Sequence, residues 1–165
     1  MTATSKADFG NEVDFVGSPL PDLGQASYRV LTTGENVSRG GGQPNMPVIR
    51  IEIDPEGAAG TTTNYATLVG SPLANSTANA WATVTGAEMA WGLTGGQFNS
   101  PATAANCGLN GPRCTAAEAQ ALLADAKVLS VAVGKGTDYA WVGSVDSLAI
   151  GGQVVNFEPN GVIVE

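Results

Sequence analysis

Three carboxylates stand at alternate positions in Glu52-Ile53-Asp54-Pro55-Glu56. Alternate residues of a strand share a face, so an extended chain would present Glu52, Asp54 and Glu56 together. Retaining glycoside hydrolysis needs two carboxyls roughly 5–5.5 Å apart across the sugar bond. Pro55 opposes that arrangement. Asp54-Pro55-Glu56-Gly57 has type I turn order, with Asp first, Pro second and Gly fourth. A turn swings Glu56 away from Glu52. The expectation is a strand running into a turn, with catalysis as the competing reading.

Other chemistries are narrower. Histidine is absent, which removes Ser-His-Asp and Cys-His catalysis and the usual transition-metal sites. Calcium takes hard oxygen ligands. Asp54, Glu56, Asp138, Asp146 and Glu158 offer them without EF-hand spacing, and Asp138 and Asp146 are the candidates. The Asp146 carboxylate could equally bond turn amides. The glycine-rich stretches 34–43 and 134–138 lack phosphate-loop spacing.

Aromatic faces stack on sugar rings, but large rings also fill sandwich cores. Among Tyr28, Tyr65, Trp81, Trp91, Tyr139 and Trp141, the surface candidates are Trp91, Tyr65 and Tyr139. Trp91 leads because loops surround it. Trp81 and Trp141 are expected inside.

Cys107 and Cys114 flank a turn at Asn110-Gly111-Pro112. That spacing lets the ends meet, so a disulfide pinching the loop is expected, worth about 2–3 kcal/mol for so short a ring. Free thiols in a cytosolic protein are the rival. Two cysteines without histidine make a poor zinc site.

Composition sets the class. One domain fits 165 residues. Charged residues are 13% and glycines number 22, which suits a turn-rich β-sandwich over a helical bundle. The formal net charge is −8 and the seven Lys and Arg residues are scattered. No basic stripe exists for nucleic acid, and acidity disfavours anionic membranes. No apolar run reaches the roughly 18 residues of a membrane helix. The opening residues have no apolar signal-peptide core. Either the chain is cytosolic, or Met1 replaces a removed signal.

The elements that must position these groups read as follows. Residues 1–12 are a polar tail or arm, and 13–165 form the sandwich. Val13–Val16, Ser27–Thr33, Val48–Asp54, Asn64–Val69, Trp81–Thr85 and Glu88–Leu93 are strand candidates. Ile49, Ile51 and Ile53 face the core. Glu35–Pro47 is expected to be a mobile loop. Thr115-Ala116-Ala117-Glu118 is a capping box opening a helix, with Ala119, Leu122, Leu123 and Ala126 as its apolar stripe. Lys127–Val133 places Leu129, Val131 and Val133 on one face. In Tyr139–Ile150 the alternation changes phase, which predicts a bulge near Asp146-Ser147. Gly151-Gly152 then signals a hairpin into Gln153–Glu158, where Val155 and Phe157 face in.

The residues Gly143, Val145, Asp146, Leu148, Ile150, Gly151, Gly152, Phe157, Glu158 and Pro159 carry a resemblance. This closing stretch resembles secreted, actinobacterial-type β-sandwich domains related to concanavalin-like and laminin-G-like jelly rolls. Val155 and Asn156 stand where that pattern has Tyr and Asp. The resemblance implies a two-layer antiparallel all-β jelly roll with one short helix. With the cysteines, it implies an extracellular location and a non-catalytic module for glycan or surface binding. Residues 52–56 also resemble the signature of concanavalin-like retaining β-glucanases. That likeness would make Glu52 the nucleophile, Asp54 a modulator and Glu56 the acid/base; Pro55 departs from the pattern.

A structural subunit that self-assembles is the remaining alternative. The arm Met1–Gly10 carries Phe9, and the tail Gly161–Glu165 is β-branched. Phe9 could anchor the arm on a neighbour, and the tail could add as a strand to its own sheet or another copy's, making a homo-oligomer.

Overall fold

The computed structural model describes residues 6–36, 43–57, 65–95, 106–137, 139–158 and 161–164. They form a two-layer antiparallel β-sandwich with one helix. Its strands are β1 (Ala7–Asn11), β2 (Ser27–Thr32), β3 (Val48–Asp54), β4 (Ala66–Pro72) and β5 (Trp81–Thr85). They continue with β6 (Met89–Thr94), β7 (Lys127–Lys135), β8 (Gly143–Ile150), β9 (Gln153–Glu158) and β10 (Gly161–Val164). The first sheet runs β1-β7-β3-β4-β6 and the second β10-β9-β8-β2-β5. Helix α1 (Ala116–Leu122) joins β6 to β7.

The core lies between the sheets. Ile49, Ile51 and Ile53 of β3 pair with Gly70, Leu68 and Ala66 of β4 and are fully buried, as their alternation requires. Trp91, Tyr28, Val30 and Leu148 fill the same layer. The Tyr28 hydroxyl donates to the Pro47 carbonyl at 2.6 Å, which satisfies a polar tip that burial would otherwise strand. Burial also pushes its phenol far above the usual range.

Local chemistry sets the helix. Thr115 accepts from the Glu118 amide, and the Glu118 carboxylate accepts from the Thr115 amide at 2.8 Å. These bonds hold Glu118 below the ordinary carboxylate range. Thr85 and Glu88 build a second capping box at the 3₁₀ turn Gly86–Glu88 before β6. Ala119, Leu123 and Ala126 pack inward, whereas Leu122 is exposed.

Two bulges decide which side chains reach the core. On β8, Ser27 faces Ala149 but Arg29 faces Asp146, so one extra residue sits between them. Ser147 there has φ 53°, the left-handed region. The bulge places Val145, Leu148 and Ile150 against one core despite their change of phase. The Asp146 carboxylate secures it, accepting from the amides of Ser147 at 2.7 Å and Phe157 at 3.1 Å. Asp146→Ala leaves both amides without that acceptor. It is expected to cost about 1–2 kcal/mol, with Asp146→Asn costing less. A chemical-denaturation midpoint unchanged in both variants would refute this role. At the end of β8, Gly151 and Gly152 turn with φ 61° and 81°, a backbone that favours glycine at both positions.

The second bulge was not expected. Glu52 faces Ser130 while Ile53 faces Val128, so Leu129 is the extra residue. Val128, Val131 and Val133 point inward, and Leu129 leaves the face assigned to it by simple alternation.

Three other segments differ from their sequence reading. Residues 7–11 are not a free arm: they are β1, paired with Lys135 to Val131 of β7. The sheet recruits them because β7 would otherwise expose an edge. Val13–Val16 forms turns, not a strand; the Asn11 side chain accepts the amides of Val13 and Asp14 and bends the chain there. Residues 43–47 are fixed in place: Met46 is buried, and Asn45 donates to the Ala140 carbonyl at 2.8 Å. Residues 37–42 of that loop lie outside the described residues. The tail strand β10 pairs with β9 of its own sheet.

Candidate functional site

The carboxylates of residues 52–56 do not form a facing pair. Glu52 projects from the outer face of the first sheet, where Tyr65 donates to one carboxylate oxygen at 2.7 Å and Ser130 to the other at 2.8 Å. Burial raises the Tyr65 hydroxyl above its ordinary value, and the bond to Glu52 raises it further. Asp54 is buried and accepts the Glu56 amide, closing the turn. Glu56 is exposed beyond the strand end. Pro55 and Gly57 have ended the strand before Glu56 can share the face of Glu52.

The aromatic assignments reverse at two positions. Trp91 is fully buried, and its indole Nε1 donates to the Gly86 carbonyl at 2.9 Å. Trp81 is 46% exposed on β5, with the Arg29 guanidinium 5.2 Å from its ring centre. The strands themselves carried the signal. In β6, Met89, Trp91 and Leu93 alternate on one face; in β5, Val84 points inward and leaves Trp81, Thr83 and Thr85 outside. Trp141 is buried as expected and Tyr139 is exposed. Tyr65 is spent on Glu52 and Thr67.

Asp146 is engaged by two backbone amides, and Asp138 lies outside the described residues. Among the described residues, no group of three or more ligand-type side chains could hold a metal ion. Among them, too, no helix is long and apolar enough to cross a membrane.

Cys107 and Cys114 are joined by a disulfide. Its ring docks on the outer edge strand of the first sheet. Trp91 and Cys114 exchange two backbone bonds, Leu93 accepts the Leu109 amide, and the Leu93 amide donates to Cys107. The close approach requires Gly92, since a Cβ there would meet Arg113 and the Leu109 backbone. The ring therefore covers an edge and rises as a wall above the sheet's outer face.

A groove of about 780 Å³ lies against that wall. Its floor includes Val69, Ser71 and Ala90 on the outer faces of β4 and β6. Arg50, Arg113 and Lys135 also line it, three of the chain's seven cations, and no described lining residue is acidic. Arg113 spans wall and floor, donating from Nε to the Leu109 carbonyl and from Nη1 to Ser71 Oγ, both at 3.0 Å. Arg50 Nη1 lies 3.3 Å from Asp8 Oδ2, while its Nε is buried and donates no hydrogen bond. Sequence reading missed this cluster because its members come from β3, the disulfide ring and the end of β7.

A second depression of about 830 Å³ lies beside α1, lined by alanines with Thr115 and Gln120. Asp22 also lines it and accepts the Gly24 amide, and the other polar side chains carry structural bonds. Gln120 bonds the Leu23 amide and the Leu20 and Pro21 carbonyls, and Thr115 serves the capping box. Of these two depressions, the groove beside the disulfide ring has the cationic lining that suits a ligand-sized space. Compared with known families, curated proteins and solved structures, this chain matches none.

Proposed function

We propose that this chain is a non-catalytic extracellular binding module that holds a glycan in the groove beside the disulfide ring. One observation carries the reading: a ligand-sized groove with convergent donors sits on a rigid sheet face and is walled by a cross-linked loop. Its volume falls within the range of roughly 300–1,000 Å³ usual for small-ligand sites. Gln43 and Asn110 add polar lining suited to sugar hydroxyls. The disulfide suits an oxidising compartment. The scattered placement of Glu52, Asp54 and Glu56 favours binding over hydrolysis.

Calorimetric titration of the full chain against a panel of neutral and acidic oligosaccharides is expected to give saturable binding without cleavage. Ala90→Trp, which fills the groove floor from the solvent side, should abolish it. Silence across the whole panel at millimolar sugar overturns the reading. Released reducing ends would overturn its non-catalytic part.

A further inference from the structure

We infer that the groove selects an acidic oligosaccharide, one whose sugar carries a carboxylate, and that Arg50 is its principal anchor. This inference rests on the reading of the groove as a glycan site and adds the ligand's charge. Aromatic rings are missing from the described lining, so the stacking that usually holds neutral pyranoses is not offered. Charge takes its place. Arg50 and Arg113 line the groove, with Lys135 buried at its end and donating to the Gly136 carbonyl, in a chain whose net charge is −8. Charges beyond about 8 Å are screened at physiological salt, so the local cluster dominates at contact. Nucleic acid needs many phosphate contacts along a basic stripe, and the seven Lys and Arg residues are too few and too scattered to supply one. Those two facts favour a sparsely charged ligand such as a short uronic-acid oligomer over nucleic acid.

Arg50 is the anchor because its donors are not used up. A guanidinium carries five N–H donors in a planar fork that matches a carboxylate. Arg50 has an ion pair with Asp8, and its buried Nε donates to nothing. The Nε itself is shut off from solvent, so a ligand carboxylate would meet the exposed edge of the guanidinium, whose side chain is 26% exposed. Arg113 is braced by Leu109 and Ser71, which orders its charge before any ligand arrives. Asp8 competes for Arg50 and is itself shared with Lys6 at 3.0 Å.

The test uses the full, disulfide-bonded chain and three matched trisaccharides: a uronic-acid trimer, the same trimer with its carboxyls reduced to alcohols, and a sulfated neutral trimer. The uronic trimer is expected to bind at least about tenfold more tightly than the reduced one. Arg50→Gln should weaken the uronic trimer about tenfold and leave the reduced trimer unchanged. Asp8→Asn, which removes the competing carboxylate, should tighten the uronic trimer; this variant keeps the test independent of any folding defect in Arg50→Gln. Equal affinity for the uronic and reduced trimers overturns the inference and leaves the glycan reading standing. Preference for the sulfated trimer overturns the carboxylate assignment. If none of the three binds but a short glutamate peptide does, both the inference and the glycan reading fall.

Discussion

Trp91→Ala is expected to unfold the protein at temperatures where the wild type is fully native. Its ring is fully buried between the sheets, opposite Gly70 in the neighbouring strand. Removing it leaves a cavity and strips the Gly86 carbonyl of its indole donor. Truncations of this kind cost about 3–5 kcal/mol. In a domain this size that lowers the melting temperature by roughly 6–20 °C. Trp91→Phe keeps most of the volume and should lose considerably less. Trp81→Ala is the control: its ring is half exposed and its main contact is Arg29, a cation–π pair worth about 0.5–1 kcal/mol at such sites. Calorimetric melting of the three variants decides the matter. A Trp91→Ala protein as stable as the wild type would mean the ring is not a core element.

Opening the disulfide should have the next largest effect, and it should reach the groove as well as stability. The ring is short, so its loss costs about 2–3 kcal/mol in the chain-entropy account, or roughly 4–12 °C of melting temperature. Both cysteines are buried in the core cluster, so a double change to serine adds a polar-burial penalty; alanine isolates the cross-link. Without the bond, the segment 107–114 is held to the sheet by its backbone bonds to Trp91 and Leu93 and by the Arg113–Ser71 bond. The wall that carries Arg113 is then held less firmly against the sheet. The double alanine variant is therefore expected to bind the uronic trimer more weakly than its stability loss alone would cause. Binding measured well below its melting temperature tests this. Unchanged melting after complete reduction would contradict the structural role of the bond. Unchanged binding would contradict the role of the ring as a wall.

Edge pairing bears on the assembly alternative. The two segments that motivated it are used within the chain: residues 7–11 cover β7, and residues 161–164 extend the sheet at β9. The disulfide ring takes part of the β6 edge. Phe9 is 59% exposed, yet its ring lies 5.9 Å from Phe157 across the two sheets. It links the layers of one sandwich, where the sequence alone suggested contact with a neighbour.

The sequence by itself determined the features that depend on near neighbours. Alternation in Val48–Asp54 set both faces of β3, because successive side chains must point to opposite sides. Gly151-Gly152 set a hairpin, Thr115 and Glu118 set a helix start, and the cysteine spacing allowed a short ring. Even the bulge at Ser147 was legible, since a phase change within one strand needs an extra residue. The tertiary structure alone decided register and company. The bulge at Leu129 follows from how β7 meets β3, and residues 7–11 became a strand only because β7 presented an edge. The groove was hidden for the same reason. Arg50, Arg113 and Lys135 carry no common local motif; pairing between distant strands and a cross-linked loop brings them together, and such pairing is set by the packing of the whole sandwich, which no short window of sequence contains.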